Sequence, residues 1–288
     1  MKFHRIYVEI TNVCGLACSF CPTKNLPSKK MSLEFFEQVI KESSSYTKEV
    51  ALHVMGDPLV LSNIHAYLYI VKKYKMSAII TTSGFFLNAH EPKILLDTPI
   101  KQINISLNSF DKNETSLCLE EYMKPIFKLC EAKLEQFHQP FINLRLWNMD
   151  EKFSSKAFNE KLFQKLSAHF KIELDIQNIY EQGLKTVRLA SKILLHFDNY
   201  FEWPSLNNQL YGDGKCLGLD SHIAILSDGR VVPCCLDGDG VINLGNLHTQ
   251  TMEDILNSNR VKSIKNGFQN HKAVENLCKR CSYKIRFN

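Results

Sequence analysis

Ile6-Tyr7-Val8-Glu9-Ile10-Thr11-Asn12-Val13-Cys14-Gly15-Leu16-Ala17-Cys18-Ser19-Phe20-Cys21 is the stretch that decides how the rest of the chain is read. Its first part alternates apolar and polar residues, as a strand with two unlike faces does. Its second part sets three thiols in the pattern Cys-x3-Cys-x2-Cys on a short loop. Three thiolates so spaced can hold three irons of a four-iron cubane, and the fourth iron then stays open for a small molecule to chelate. A structural zinc ion is the competing occupant, but zinc favours four protein ligands in paired spacing, and no fourth cysteine stands nearby.

From residue 4 to about 178, short apolar runs alternate with segments of helical period, which predicts repeated βα units and an α/β fold with a parallel sheet. Strands are expected at 4–10, 50–55, 77–82, 101–107, 141–147 and 172–177. Helices are expected over 32–44 with Ser32 as N-cap, over 62–75 after Ser62, and over 119–138 and 157–169. Six such units are too few for a closed eight-fold barrel, so residues 1–178 are expected to form an open, partial (β/α)6 barrel. Ligands gather at the C-terminal strand ends of such sheets, where the Cys14 loop falls.

The alternation stops over 179–215, a bridging segment in which Phe197, Tyr200, Phe201, Trp203 and Tyr211 stand among polar residues. These aromatics could cap the barrel mouth or fill a seam between domains. Beyond them, His222 to Leu226, an Asp228-Gly229 turn and Arg230 to Val232 read as a hairpin, followed by short helices near 251–258 and 260–266. Residues 216–288 thus form a small α+β domain. It holds Cys216, Cys234 and the pair Cys278-x2-Cys281. From spacing alone, a four-cysteine zinc site and an iron–sulfur cluster fit equally well. Cys235 could serve as a substitute ligand or pack as a small apolar residue, and Cys118 and Cys130 sit at helix-like, structural positions.

A chain of 288 residues with 44% hydrophobic content can bury a large core. The start carries no hydrophobic export stretch and no segment reaches ~18 uninterrupted apolar residues, so a cytoplasmic protein without membrane contact is expected. The ten cysteines then read as ligand thiolates rather than disulfides. The net charge of +5 is concentrated at 259–288, where Arg260, Lys262, Lys265, Lys272, Lys279, Arg280, Lys284 and Arg286 face Glu275 alone. Such a tail suits an anionic partner or is a solvated helical face.

The Cys14-Cys18-Cys21 motif after its strand resembles the radical S-adenosylmethionine (SAM) superfamily, whose loop of this spacing holds a [4Fe-4S] cluster. Met55-Gly56-Asp57-Pro58 is similar to the family's Gly-Gly-Glu-Pro segment, whose backbone binds the SAM amino group; Met55 replaces a glycine and Asp57 is one methylene shorter. By the same resemblance Thr82-Ser83-Gly84, Asn104 and Ser106 are ribose and carboxylate contacts, and Phe20 stacks near adenine. Gly15 stands where the family often has asparagine. Arg145 would pair with the SAM carboxylate if it points inward, and is a surface arginine otherwise.

The second cysteine set resembles the SPASM/twitch extension. With no further cysteine after Cys281, it matches the shorter twitch type, implying one auxiliary [4Fe-4S] cluster on Cys216, Cys234, Cys278 and Cys281. The resemblance implies reductive cleavage of SAM to a 5′-deoxyadenosyl radical, hydrogen abstraction, and a flavodoxin- or ferredoxin-type reductant. With the auxiliary cluster taking up an electron, it points to dehydrogenation of a small molecule. RNA or nucleotide modification, peptide modification and non-catalytic electron transfer are the alternatives. Glu9, His53, Asp175, Glu181, His196 and His222 are candidates for a cavity base, none favoured over the others.

Overall fold

The structure, a computed structural model, describes residues 2–22, 26–135, 140–147, 156–199 and 201–287. Its centre is one ten-stranded sheet. The strands are β1 (Arg5–Val8), β2 (Glu49–Ala51), β3 (Ser77–Thr82), β4 (Ile100–Ser106), β5 (Phe141–Trp147), β6 (Thr186–Ala190), β7 (Ile193–Asp198), β8 (His222–Ile225), β9 (Arg230–Val232) and β10 (Gly245–Asn246). They lie in the order β10-β9-β8-β1-β2-β3-β4-β5-β7-β6. From β8 through β1 to β5 and β7 every pairing is parallel, and β6, β9 and β10 join antiparallel at the two edges.

The strands are two-faced. Ile6, Val8, Val50, Ile80, Ile103, Ile105, Leu144, Leu195 and Ile223 point outward and are fully buried beneath the helices Leu33–Ser43, Ile64–Lys73, Leu119–Glu135 and Lys156–Phe170. The alternate positions, among them Tyr7, Thr81, Ser106, Arg145, Asp198 and His222, turn inward to a shared cavity. The concave side is therefore a polar chamber, not the packed interior of a closed barrel. Its floor is closed by Glu49, which accepts from Arg5 Nε at 2.7 Å and also pairs with Lys101. Burial would push this carboxyl up, but the Lys101 and Arg5 hydrogen bonds outweigh it and hold it low.

Ser32 caps the first helix as expected, accepting the Phe35 N–H at 3.2 Å. The second helix is preceded by Asn63, with no side-chain cap. The expected sixth strand at 172–177 is a correction: the segment enters a helix at Ile176–Glu181, because Asp175 accepts the Asn178 N–H at 3.0 Å and starts a turn there. The strand beside β5 is instead β7, which the sequence reading had placed in the bridge. The hairpin β8–β9 forms as expected, and β8 adds in parallel to the free side of β1. Tyr200 and the last residues of the expected 119–138 helix lie outside the described residues. Among the described residues no helix is long and apolar enough to cross a membrane.

Candidate functional site

The Cys14 loop leaves β1 at the C-terminal edge of the sheet and is held from three sides. Thr11 Oγ1 accepts the Val13 N–H and donates to the Lys29 carbonyl, while Asn12 exchanges side-chain hydrogen bonds with Pro27 and Lys29. Asn113 clamps the far side: its amide oxygen accepts the Ala17 N–H at 2.9 Å, and its Nδ2 reaches the Cys18 sulfur at 2.8 Å. Cys18 is held down at about 6, first by its hydrogen bond with Cys21 and then, against burial, by Asn113 and Ser109. Cys14, Cys18 and Cys21 all line one cavity of about 300 Å³. A loop that favours a thiolate and turns three sulfurs into one space fits a cluster with one iron left for a ligand.

The adjoining loop, Met55 to Pro58, is shaped from below. A Cβ on Gly56 would stand 2.0 Å from the Thr11 carbonyl oxygen, so only glycine lets the two loops touch. Glu9 ties three elements together. One carboxylate oxygen accepts the Met55 N–H at 3.0 Å, and the other accepts the Ser227 N–H and hydroxyl at 3.1 and 2.9 Å. Asp57 is similarly consumed, accepting from Leu59 N, Thr82 Oγ1, Ser83 N and Ser83 Oγ. Burial pushes its carboxyl up and these bonds only partly oppose it. Its side chain is thus occupied in holding the loop.

Of the expected SAM contacts, Phe20, Met55, Gly56, Asp57, Ser83, Ser106 and Arg145 line the cavity with the three cysteines. Arg145 points inward. Asn104 is not among them. It lies deeper on the same strand face as Ser106, its amide committed to Thr81, Gln102 and Asn143, and it is absent from the cavity wall. Thr81, which does line the cavity, is the residue it braces.

The same cavity is also lined by Tyr7, His53, His222, Cys235, Phe201, Trp203 and Tyr283. The Tyr7 ring stands edge-on to His53 at 5.5 Å and to His222 at 5.9 Å. Burial, then the Arg145 and Arg5 charges, push His53 down to about 3; burial and Arg5 push His222 to about 4. Both are neutral imidazoles at physiological pH. His53 Nδ1 and Trp203 Nε1 are buried without a hydrogen-bond partner among the described residues. Of the remaining base candidates, Glu9 is spent on its loops, Asp175 caps a helix, Glu181 accepts from Gln177 on the surface, and His196 bonds Thr186. Within the bridge, Phe197 packs in the core against Phe163, Tyr211 bonds Glu202, and Phe201 and Trp203 face the cavity.

Behind Cys235 the second set closes around its own space. Cys216, Cys234, Cys278 and Cys281 line an internal pocket walled by Ile242, Phe268 and Leu277. Burial, followed by repulsion from Cys235, Cys216, Cys278 and Cys281, drives Cys234 far up, and burial with its neighbours' charges does the same to Cys278. Four thiolates can share such a pocket only around a multiply positive core. Among the described residues no three His, Cys, Asp or Glu side chains converge as a single-ion site, whereas a cubane spreads its ligands wider than one zinc ion does. Cys216, Cys234 and Cys281 also line the reaction cavity, as does Cys235, which shares a hydrogen bond with Tyr7. No disulfide joins the ten cysteines.

Sequence reasoning passed over Tyr7, Asn113, Asp198 and Lys284. Tyr7 was signalled by the alternation of β1; Asn113, in an irregular segment, gave no signal.

The chain belongs to the radical SAM superfamily and carries a C-terminal SPASM iron–sulfur cluster-binding domain: the two family models match residues 8–137 and 216–282. The cofactors that go with these two families are SAM, a [4Fe-4S] cluster and a SPASM auxiliary cluster. It is 31% identical over 115 residues to a GTP 3′,8-cyclase of Campylobacter fetus, covering 37% of this chain and 35% of that protein. It is 23% identical over 119 residues to the S-adenosyl-L-methionine-dependent 2-deoxy-scyllo-inosamine dehydrogenase of Niallia circulans, covering 39% and 48%. The matched region thus spans from a third to a half of these curated relatives. In fold it is similar to BtrN in complex with AdoMet and 2-DOIA, with a TM-score of 0.61 at 16% identity over 98% of this chain and 94% of that one. It is also similar to SuiB of Streptococcus suis bound to S-adenosylmethionine, with a TM-score of 0.62 at 14% identity over 90% and 66%.

Proposed function

We propose that the chain catalyses a radical-mediated dehydrogenation of a small hydroxylated molecule. The observation that carries this reading is the cavity itself, which joins the Cys14 loop to Cys216, Cys234 and Cys281 of the second set and presents a buried, neutral His53 whose Nδ1 has no hydrogen-bond partner among the described residues. We further propose that Cys14, Cys18 and Cys21 hold the SAM-binding cluster, and Cys216, Cys234, Cys278 and Cys281 the auxiliary one. When bound, these groups supply the hydrogen-abstracting 5′-deoxyadenosyl radical and an electron acceptor. The chain's own residues do the rest. Arg145 and the Met55–Asp57 backbone orient SAM, and Phe20 covers its adenine. His53 Nδ1 receives the hydroxyl proton as the substrate carbon becomes a carbonyl, and Tyr7 holds the imidazole in place. Phe201 and Trp203 exclude water.

The dehydrogenase among the relatives and the BtrN-like architecture agree with this reading. The basic tail lends little to an RNA reading, since four of its eight charges are engaged within the fold: Arg260 grips Glu275 with two bonds at 2.7 and 3.0 Å, Arg286 pairs with Asp198 at 2.8 Å, Arg280 bonds the Asn208 carbonyl, and Lys284 is buried. A flavodoxin- or ferredoxin-type protein is the proposed reductant.

The test is 5′-deoxyadenosine formation by the anaerobically reconstituted protein, offered separately the small-molecule, peptide and RNA fractions of cells lacking the gene. The expected result is stimulation by small molecules, with a product two mass units lighter than its substrate. Stimulation by RNA or peptide alone would overturn the reading.

A further inference from the structure

Lys284 is among the largest side chains in the protein to be almost fully buried, with 2% of its surface exposed. Its ammonium donates to the carbonyls of Cys278 at 2.9 Å, Cys281 at 3.0 Å and Lys279 at 3.3 Å. Three acceptors occupy all three N–H bonds of an ammonium, whereas a neutral amine has two to give. No carboxylate lies within ion-pair distance among the described residues; Asp213 acts only at longer range, after Cys281, Cys278 and Cys216. Lys284 lines both the closed pocket of the four cysteines and the reaction cavity. Burial of so costly a group has no ion-pair explanation here, yet its charge is fixed to the backbone of the Cys-x2-Cys turn.

We propose that Lys284 is a positioning residue that sets the reduction potential of the auxiliary site, stabilising its reduced form. This rests on the reading of Cys216, Cys234, Cys278 and Cys281 as a cluster's ligands. Four thiolates around a [4Fe-4S]²⁺ core carry two net negative charges, and one-electron reduction makes three. A fixed cation in a dry pocket favours the more negative form and raises the potential. Three hydrogen bonds also draw electron density from the carbonyls that frame two of the ligands, which acts in the same direction. The lysine thereby biases the site toward accepting an electron from the cavity side.

The experiment uses the full chain with Cys14, Cys18 and Cys21 replaced by alanine, reconstituted anaerobically so that only the second site can hold iron. Its midpoint potential is read by potentiometric titration with paramagnetic resonance detection, with Lys284 intact and as Lys284→Met, Lys284→Gln and Lys284→Arg. The expected result is four irons in each, with the oxidised-to-reduced ratio at a fixed potential raised at least tenfold in the neutral variants. That corresponds to a fall of about 59 mV for one electron, and Lys284→Arg stays near the parent. Unchanged potentials in an intact cluster overturn the proposal. If neither neutral variant holds iron while Lys284→Arg does, the requirement for charge stands; if Lys284→Arg also loses it, shape rather than charge is at work and the proposal falls. A parent protein that binds no iron overturns the ligand reading instead.

Discussion

Asp57 illustrates how a single methylene redistributes a role. The shorter carboxylate gathers four donors from Leu59, Thr82 and Ser83, and these bonds hold the floor of the SAM loop. Asp57→Ala should cost about 2–3 kcal/mol, because buried donors lose a charged acceptor, and anaerobic urea unfolding would measure it. His53 yields a different signature. His53→Gln should leave SAM binding within about threefold but lower product formation at least a hundredfold, the scale of a lost general base. Uncoupled 5′-deoxyadenosine should then accumulate, and comparing product with 5′-deoxyadenosine checks this. Native pKa values near 3 and 4 for His53 and His222 lie below the ordinary histidine value. The unfolded chain therefore protonates first as pH falls. Stability is full above about pH 7 and declines from about 6.5 toward 4 for His222 and toward 3 for His53, by up to about 1.4 kcal/mol per pH unit for each histidine. Unfolding curves at stepped pH should show a shallower decline in His53→Gln than in the parent.

At the scale of elements, the contact between the Cys14 loop and the Met55 loop is the most exacting. Gly56→Ala would drive a methyl into the Thr11 carbonyl, and neither backbone can give way without moving the Cys14 loop or the Met55–Pro58 loop. SAM affinity should fall at least tenfold, read by equilibrium dialysis, alongside iron content. Most elements were legible because their strands carry a strict polar–apolar alternation that the two-faced sheet demands. The alternation of Ile172 to Gln177 obeys the same rule, yet Asp175 makes it a helix start, since a local cap wins where no neighbouring strand is at hand. Conversely Ile193 to Asp198 read as bridge, although His196 and Asp198 alternate with buried Leu195 and Phe197. The two cysteine groupings were legible because thiol spacing is a local property. That Asn104 lies away from the cavity wall was not legible because depth along a strand is not local, and Asn113 was missed because its contact with Cys18 spans 95 residues.

Over the whole molecule, charge counted along the chain differs from charge offered to solvent. Of the eight basic residues after 259, Arg260, Lys262, Lys272 and Arg286 are exposed, and of these Arg260 and Arg286 are already paired with Glu275 and Asp198. Binding to a generic single-stranded RNA should accordingly be weak, with a salt slope reflecting about two phosphate contacts rather than eight; fluorescence anisotropy at stepped salt would measure it. The sheet has a further consequence. Strand β8 pairs with β1 from Arg5 opposite His222 to Val8 opposite Ile225; β1 leads into the Cys14 loop, while Cys216 lies just before β8 and Cys234 just after its hairpin partner β9. With the ligand sets proposed above, the spacing between the two cysteine groups is therefore tied to main-chain register. Side-chain changes can retune the driving force at either end and leave that spacing unaltered. A slip of β8 by one residue, about 3.3 Å, would reset the spacing and turn His222 out of the chamber in the same movement.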